Sequence, residues 1–350
     1  MSKKCVAYVG TYTRGSGKGI YIYDVNVEEG TMKKRKSVPV RNSAYLCLSA
    51  NGKYLYSVVD DGVAGFAIGD DGDLTYINEI DIDGMRPCFI CTDRSGKYLF
   101  AGGYYDGKVT VIRTLEDGTL AGVLDGVYHK GTGSVAERNF RPHVNCVRMS
   151  PRDKYLCAVD NGIDPVKIYQ ITEEGKLHLT ETLRCPRESG PKRVEFSKDG
   201  RYLYVLCELA NVVEVYSVSH NGKVPVMERV QVISTTSDNE DKLHDTACDT
   251  CISEDGQYLF TSTAGDNSLA MFHVDPETGL LTKEFALPIS GEYPRHIELF
   301  PDGKHIACVN YESRLITTFA INYEKKLILQ KGRPKKIETP NCLLFKMLDA

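Results

Sequence analysis

Tryptophan is absent from this chain, and no apolar run approaches the length needed to span a bilayer. Missing too is any excess of basic charge: the net charge is −4, so the broad cationic face of a general nucleic-acid binder is excluded. The opening MSKKCVAYVG has two lysines and then only a short strand, without the apolar core of a signal peptide. A cytoplasmic protein without membrane or nucleic-acid partners is therefore expected, its twelve cysteines reduced and mostly buried. No G-x-S-x-G elbow is present for a serine nucleophile. Gly-rich GTYTRGSGKG lacks the spacing of a phosphate loop and precedes a strand rather than a helix, so it reads as a hairpin turn.

What is there is a repeated phrase. Its clearest copy, GPKRVEFSKDGRYLYVLCELANVVEV at 190–215, is a strand, a tight Asp199-Gly200 turn, a second strand and then a third. SANGKYLYSV, TDRSGKYLFAG, SPRDKYLCAV, SEDGQYLFTS and FPDGKHIACV repeat it. From Gly52 through Gly96, Asp153, Gly200, Gly256 and Gly303 the gaps are 44, 57, 47, 56 and 47 residues. A period near 50 made of four short strands is the pattern of a propeller blade. Tyrosine, 21 residues against 11 phenylalanines, recurs inside the repeat, as strands favour. Residues 5–38 hold the outer part of one blade and TPNCLLFKML at 339–348 an innermost strand. The chain is thus expected to be all-β, a single seven-bladed β-propeller domain over 1–350, closed by pairing of its two ends. The excursions Val127 to Phe140 and Ser234 to His244 read as loops on one face.

In a ring of repeats, equivalent positions converge on the axis. The innermost strands open with x-Pro-x, and the residue after each proline is expected to look into the channel mouth. That places His143, Lys192 or Arg193, and Arg295 together. The antiparallel second strand returns Glu208 to the same face, beside Lys192 and Arg193, with Asp60, Tyr105, Asp160, Asp164, Ala264 and Tyr311 around the rim. A carboxylate among cations stays ionised and can orient water, and the cations suit an anionic ligand. Cys88/Cys91 and Cys248/Cys251 have the spacing of zinc ligands. On strands, however, i and i+3 point to opposite faces, so no metal is expected. His305 stands where the repeat has tyrosine and is read as structural, and His296 is expected to face away from Arg295.

YVGTYTRGSGKGIYIYDVNVEEG, RPHVNCVRMSP, GPKRVEFSKDGRYLYVLCELANVVEVY, ACDTCISEDGQYLFTS and YPRHIELFPDGKHIACVN together resemble the seven-bladed-propeller lactonase family. That family includes the propeller-type bacterial 6-phosphogluconolactonases and the fungal carboxy-muconate lactonizing enzymes. The resemblance implies catalytic roles for His143, Glu208 and Arg295, substrate binding by Lys192, Arg193 and Arg141, and no cofactor. The chain departs from the family pattern at Gly190-Pro191-Lys192-Arg193, where the family has G-P-R-H, at Ala264, where it has arginine, and at Arg141, where it has histidine. What it implies is hydrolysis of a small anionic sugar-acid lactone, 6-phosphogluconolactone first. The cations would grip phosphate or oxyanion, and His143, ahead of Glu208, would act as base. Two other readings are a lactonizing isomerase acting on a carboxylated muconate and a propeller that binds a peptide or small anion without catalysis.

Overall fold

The computed structural model describes residues 4–134, 138–222, 224–237 and 244–348. Within them lie seven antiparallel sheets, each running from an innermost strand outward, six of four strands and one of five. Blade 1 is built from both ends of the chain: Pro340–Met347 is its innermost strand, followed by Cys5–Thr11, Gly19–Asn26 and Thr31–Pro39. Cys5 pairs with Met347 and Gly10 with Cys342, so the ring is closed by backbone hydrogen bonds and the N-terminal strand Cys5–Thr11 is paired on both sides. Blades 2 to 7 then follow in chain order, with innermost strands Leu46–Leu48, Phe89–Thr92, Val144–Met149, Pro191–Phe196, Thr246–Ile252 and Pro294–Leu299. No helix among the described residues is long and apolar enough to cross a membrane.

The repeated phrase is explained by what its residues touch. In the Ser-x-Asp-Gly turn, the Ser197 hydroxyl accepts the Tyr202 N–H at 2.9 Å and Asp199 Oδ1 accepts the Arg201 N–H at 3.0 Å. The turn's polar groups are thereby satisfied locally. The tyrosines that follow clasp the next blade. Tyr54 donates to the Glu116 carbonyl at 3.0 Å, Tyr98 to Glu173 at 2.9 Å and Tyr202 to Glu277 at 2.9 Å, each carbonyl lying in the outer hairpin turn of the neighbouring sheet. The glycine of that turn is obligatory: at Gly118 (φ 82°) and Gly279 (φ 65°) a Cβ would lie 2.3 Å from the Tyr54 and Tyr202 rings. His305 takes the tyrosine's place at the seam between blades 7 and 1, where its ring lies under Gly30. The structural role read for it from sequence follows from that contact.

Between the blades the core is apolar and close-packed, with Tyr8, Val9, Ile20, Leu55, Val147, Leu203 and Phe260 all inaccessible to solvent. Of the two excursions, the first leaves its strand at Tyr128 and brings Arg138 to the cavity, with 135–137 outside the described residues. In the second, 238–243 lie outside the described residues.

Candidate active site

A β-bulge repeated in blade after blade builds the site. In the innermost strands the pairing skips one residue near the start: Asn145 between Val144 and Cys146, Lys192 between Pro191 and Arg193, and Cys248 between Ala247 and Asp249. The same skip falls on Arg295 between Pro294 and His296, and on Asn341 opposite the Gly10/Thr11 step. A bulged residue is released from the ladder and can be re-aimed, here toward the axis. Asn145, Lys192, Arg295 and Asn341 line one cavity of about 260 Å³, together with Tyr12, Arg86, Tyr104, Arg138, Arg193, Glu208 and Tyr293 among others.

The second strands add a ring of residues one step past their last paired position. Tyr12, Asn161, Glu208 and Tyr311 occupy it, and each backbone N–H donates back to the residue before the neighbouring innermost strand: Thr339, His143, Gly190 and Tyr293. This register corrects two expectations. His143 is the equivalent of Gly190, not of Lys192, because blade 4 starts its strand two residues after Pro142 instead of at the proline. Asn161, not Asp160, is the equivalent of Glu208.

Glu208 is buried, 4% exposed, and bonded through both carboxylate oxygens. Its Oε1 accepts from Arg138 at 2.9 Å and lies 3.2 Å from Lys192 Nζ, while Oε2 accepts from Asn161 Nδ2 at 2.8 Å. Burial alone would raise its pKa, but the Lys192 and Arg138 charges and the Asn161 N–H reverse that and hold it below the usual carboxylate range. Burial likewise opposes the Lys192 ammonium, and the Glu208 carboxylate outweighs it, so Lys192 is held charged. Arg138 was not singled out in the sequence. It comes from the first excursion, with φ at 65°, a backbone state that non-glycine residues seldom adopt. Its neighbour Asn139 pegs the loop, donating to the Asn161 carbonyl and to Asp164, each at 2.9 Å.

The remaining expected residues fall out differently. His143 Nδ1 lies 2.5 Å from the Tyr104 carbonyl, and its ring stacks on Tyr104 at 4.2 Å, behind the cavity wall. Arg141 is exposed, over the Phe140 ring, and does not line the cavity. Arg193 reaches the cavity but is committed elsewhere: Nε to Asp249 at 3.1 Å, an Nη1 N–H to the Asn145 carbonyl at 2.8 Å, and its guanidinium over Phe89 at 4.7 Å. Arg295 has no carboxylate within ion-pair distance among the described residues and packs against Tyr311 at 5.2 Å. Asp160 is wholly buried on His129 at 2.7 Å and the His143 N–H at 2.8 Å, bracing the loop instead of facing substrate. Among the described residues no cluster of His, Cys, Asp and Glu is arranged to hold a metal ion.

Farther along the channel a second cavity of about 340 Å³ holds Glu195, paired with Arg148, and Glu298, with Asp249 and His296 nearby. Burial pushes Glu195 up to about 7 and Glu298 up to about 8, in both cases with Asp249 adding to the rise. The folded state therefore keeps protons that the unfolded chain releases above the ordinary value near 4.5. Stability from these groups is present at low pH and lost as pH climbs through 8. A Glu298→Gln variant is expected to flatten the decline in melting temperature between pH 6 and pH 8.5. The difference should be on the order of 1–2 kcal/mol after allowance for its partial exposure. Parallel wild-type and variant profiles would show that Glu298 ionises freely.

Comparison with known proteins agrees with this architecture. The chain is 28% identical over 349 residues to a 6-phosphogluconolactonase of Bacillus subtilis, covering 98% of each chain. It is 28% identical over 332 residues to a 6-phosphogluconolactonase of Formosa agariphila, covering 91% of this chain and 92% of the relative. The structure superposes on the periplasmic gluconolactonase PpgL of Pseudomonas aeruginosa with a TM-score of 0.92 at 26% identity, over 99% of this chain and 100% of the other. The model of the family described as Lactonase, 7-bladed beta-propeller matches residues 6–345, so this chain belongs to that family and is a lactone-hydrolysing enzyme.

Proposed function

We propose that the enzyme hydrolyses 6-phosphogluconolactone to 6-phosphogluconate at the channel mouth. The observation that carries this reading is the charge of the cavity. Five cations, Arg86, Arg138, Lys192, Arg193 and Arg295, line it, and three carboxylates, Asp60, Glu208 and Asp249, pair with four of them. Such a site favours an anionic lactone over a neutral one. Two relatives named for this activity support the same substrate.

In this reading Glu208, which lines the cavity, holds the attacking water through the acceptor site that Asn161 leaves on Oε2. As a carboxylate it accepts the water proton while the water oxygen bonds to the lactone carbonyl carbon. The resulting oxyanion is stabilised by the neighbouring Lys192 ammonium and Arg138 guanidinium. Collapse breaks the ring C–O bond, and the proton held by Glu208 passes to the departing oxygen, leaving the open hydroxy acid. His143, the base favoured by sequence, sits behind Tyr104 and acts as its support, with Nδ1–H directed at the Tyr104 carbonyl. A depressed pKa makes Glu208 a weak base, which suits an activated ester more than an amide.

The test is the rate of disappearance of freshly generated 6-phosphogluconolactone with and without protein, corrected for spontaneous hydrolysis. Clear acceleration is expected. None from a folded sample would remove this substrate and turn attention to other anionic lactones and to lactonization of a carboxylated muconate.

A further inference from the structure

The wall of the cavity away from Glu208 carries two arginines that share one ring. The Arg86 guanidinium lies 5.1 Å from the Tyr12 ring centre and that of Arg295 5.9 Å from it, with Tyr311 a further 5.2 Å contact of Arg295. All three of Arg86, Tyr12 and Arg295 line the cavity. Stacking fixes a guanidinium plane without using its N–H donors. Those donors are almost idle here. Arg86 has one ion-pair contact, a long 3.7 Å approach to Asp60, with its side chain only 19% exposed. Arg295 has no ion pair among the described residues, and burial opposes its charge without displacing it.

Local structure holds Arg86 in place. Pro87 restricts Arg86 to extended backbone. The Met85 N–H donates to Asp106 Oδ2 at 2.9 Å, and Lys108 Nζ donates to the Ile82 carbonyl at 2.8 Å and to that of Asp83 at 2.5 Å. The segment that carries Arg86 is thus tied to blade 3, while Tyr12 belongs to blade 1 and Arg295 to blade 7. Two preset cationic forks with free donors, facing a cavity, match a tetrahedral dianion.

We propose that Arg86 and Arg295, oriented by Tyr12, form the subsite for the substrate's phosphate and set the preference for phosphorylated over unphosphorylated lactone. This rests on the functional reading above and divides the cavity between two tasks: Glu208, Lys192 and Arg138 act at the lactone carbonyl, Arg86 and Arg295 at the far end. Of the five cations that line the cavity, these two combine an aromatic neighbour with donors left unused by the described residues, whereas Arg138, Lys192 and Arg193 are each paired with a carboxylate.

The experiment compares kcat/KM for 6-phosphogluconolactone and for glucono-δ-lactone in wild type, Arg86→Gln and Arg295→Gln. Alongside, calorimetry measures the binding of 6-phosphogluconate, gluconate and inorganic phosphate. Each variant is expected to lose on the order of 10–100-fold with the phosphorylated lactone, mainly through KM, and at least tenfold less with the neutral one. Arg86→Lys, which keeps charge but not the fork, should fall between and covers the case in which Arg86→Gln does not fold. Equal losses on both lactones, or a wild type without preference between them, overturn the subsite. If wild type turns over neither lactone, the substrate reading falls separately. The subsite then stands only if wild type binds 6-phosphogluconate and Arg86→Gln weakens that binding tenfold or more without weakening gluconate equally.

Discussion

Glu208→Gln is expected to lower kcat/KM for 6-phosphogluconolactone by about 10²–10⁴-fold, the range for loss of a positioned general base. The amide keeps the shape and the Asn161 contact but cannot take up a proton, and it no longer neutralises Lys192 and Arg138. Their charges hold the Glu208 pKa low, so the wild-type rate should be flat across neutral pH and fall only below the ordinary carboxylate range. Arg138→Ala removes one of those charges and is expected to move that acidic limb upward. Steady-state rates across pH for the three proteins, each checked for folding, decide the matter. A His143→Ala protein that remains folded and is slower than Glu208→Gln would return the base role to the histidine.

Arg193→Met should cost stability more than chemistry. Its guanidinium is wedged between the Asp249 carboxylate, two backbone carbonyls and the Phe89 and Tyr45 rings. Removing it leaves Asp249 buried, facing a neutral His296 whose pKa burial has lowered. Breaking one partner of such a pair typically costs about 3–5 kcal/mol. Chemical denaturation of Arg193→Met, Asp249→Asn and the double variant would measure this, with the double variant expected to be less destabilised than the two single losses summed. Wild-type stability in Arg193→Met would show that the pair holds nothing together and would restore Arg193 as a substrate contact.

The two neighbouring cations, Lys192 and Arg193, show how far sequence reasoning reaches. Both fall in the expected place, at the start of an innermost strand, yet they face different work because the bulge lifts Lys192 out of the ladder and leaves Arg193 in it. Alternation alone assigns two faces to two consecutive residues. Which one turns to the cavity depends on a skipped pairing with the second strand.

Fold and closure were written locally and repeatedly. Turns of the Ser-x-Asp-Gly kind, alternating strands and the tyrosine that meets the next blade's turn glycine each need only about ten residues of context, and six copies, with a seventh blade made from the two ends of the chain, leave a ring as the way to bury the faces of every sheet. Glu208, Lys192 and Arg295 were legible for the same reason, since equivalent positions in a ring must converge. What only the tertiary structure decided is which groups meet at the cavity. Arg138 arrives on a loop whose path is set by Asn139 and Asp164, His143 is withdrawn because blade 4 begins its strand two residues late, and Arg86 meets Arg295 across Tyr12 only once blades 7, 1 and 3 are assembled. Turn and strand preferences are short-range and survive in any context. Bulges and contacts between blades depend on pairings many residues apart, and no local pattern carries them.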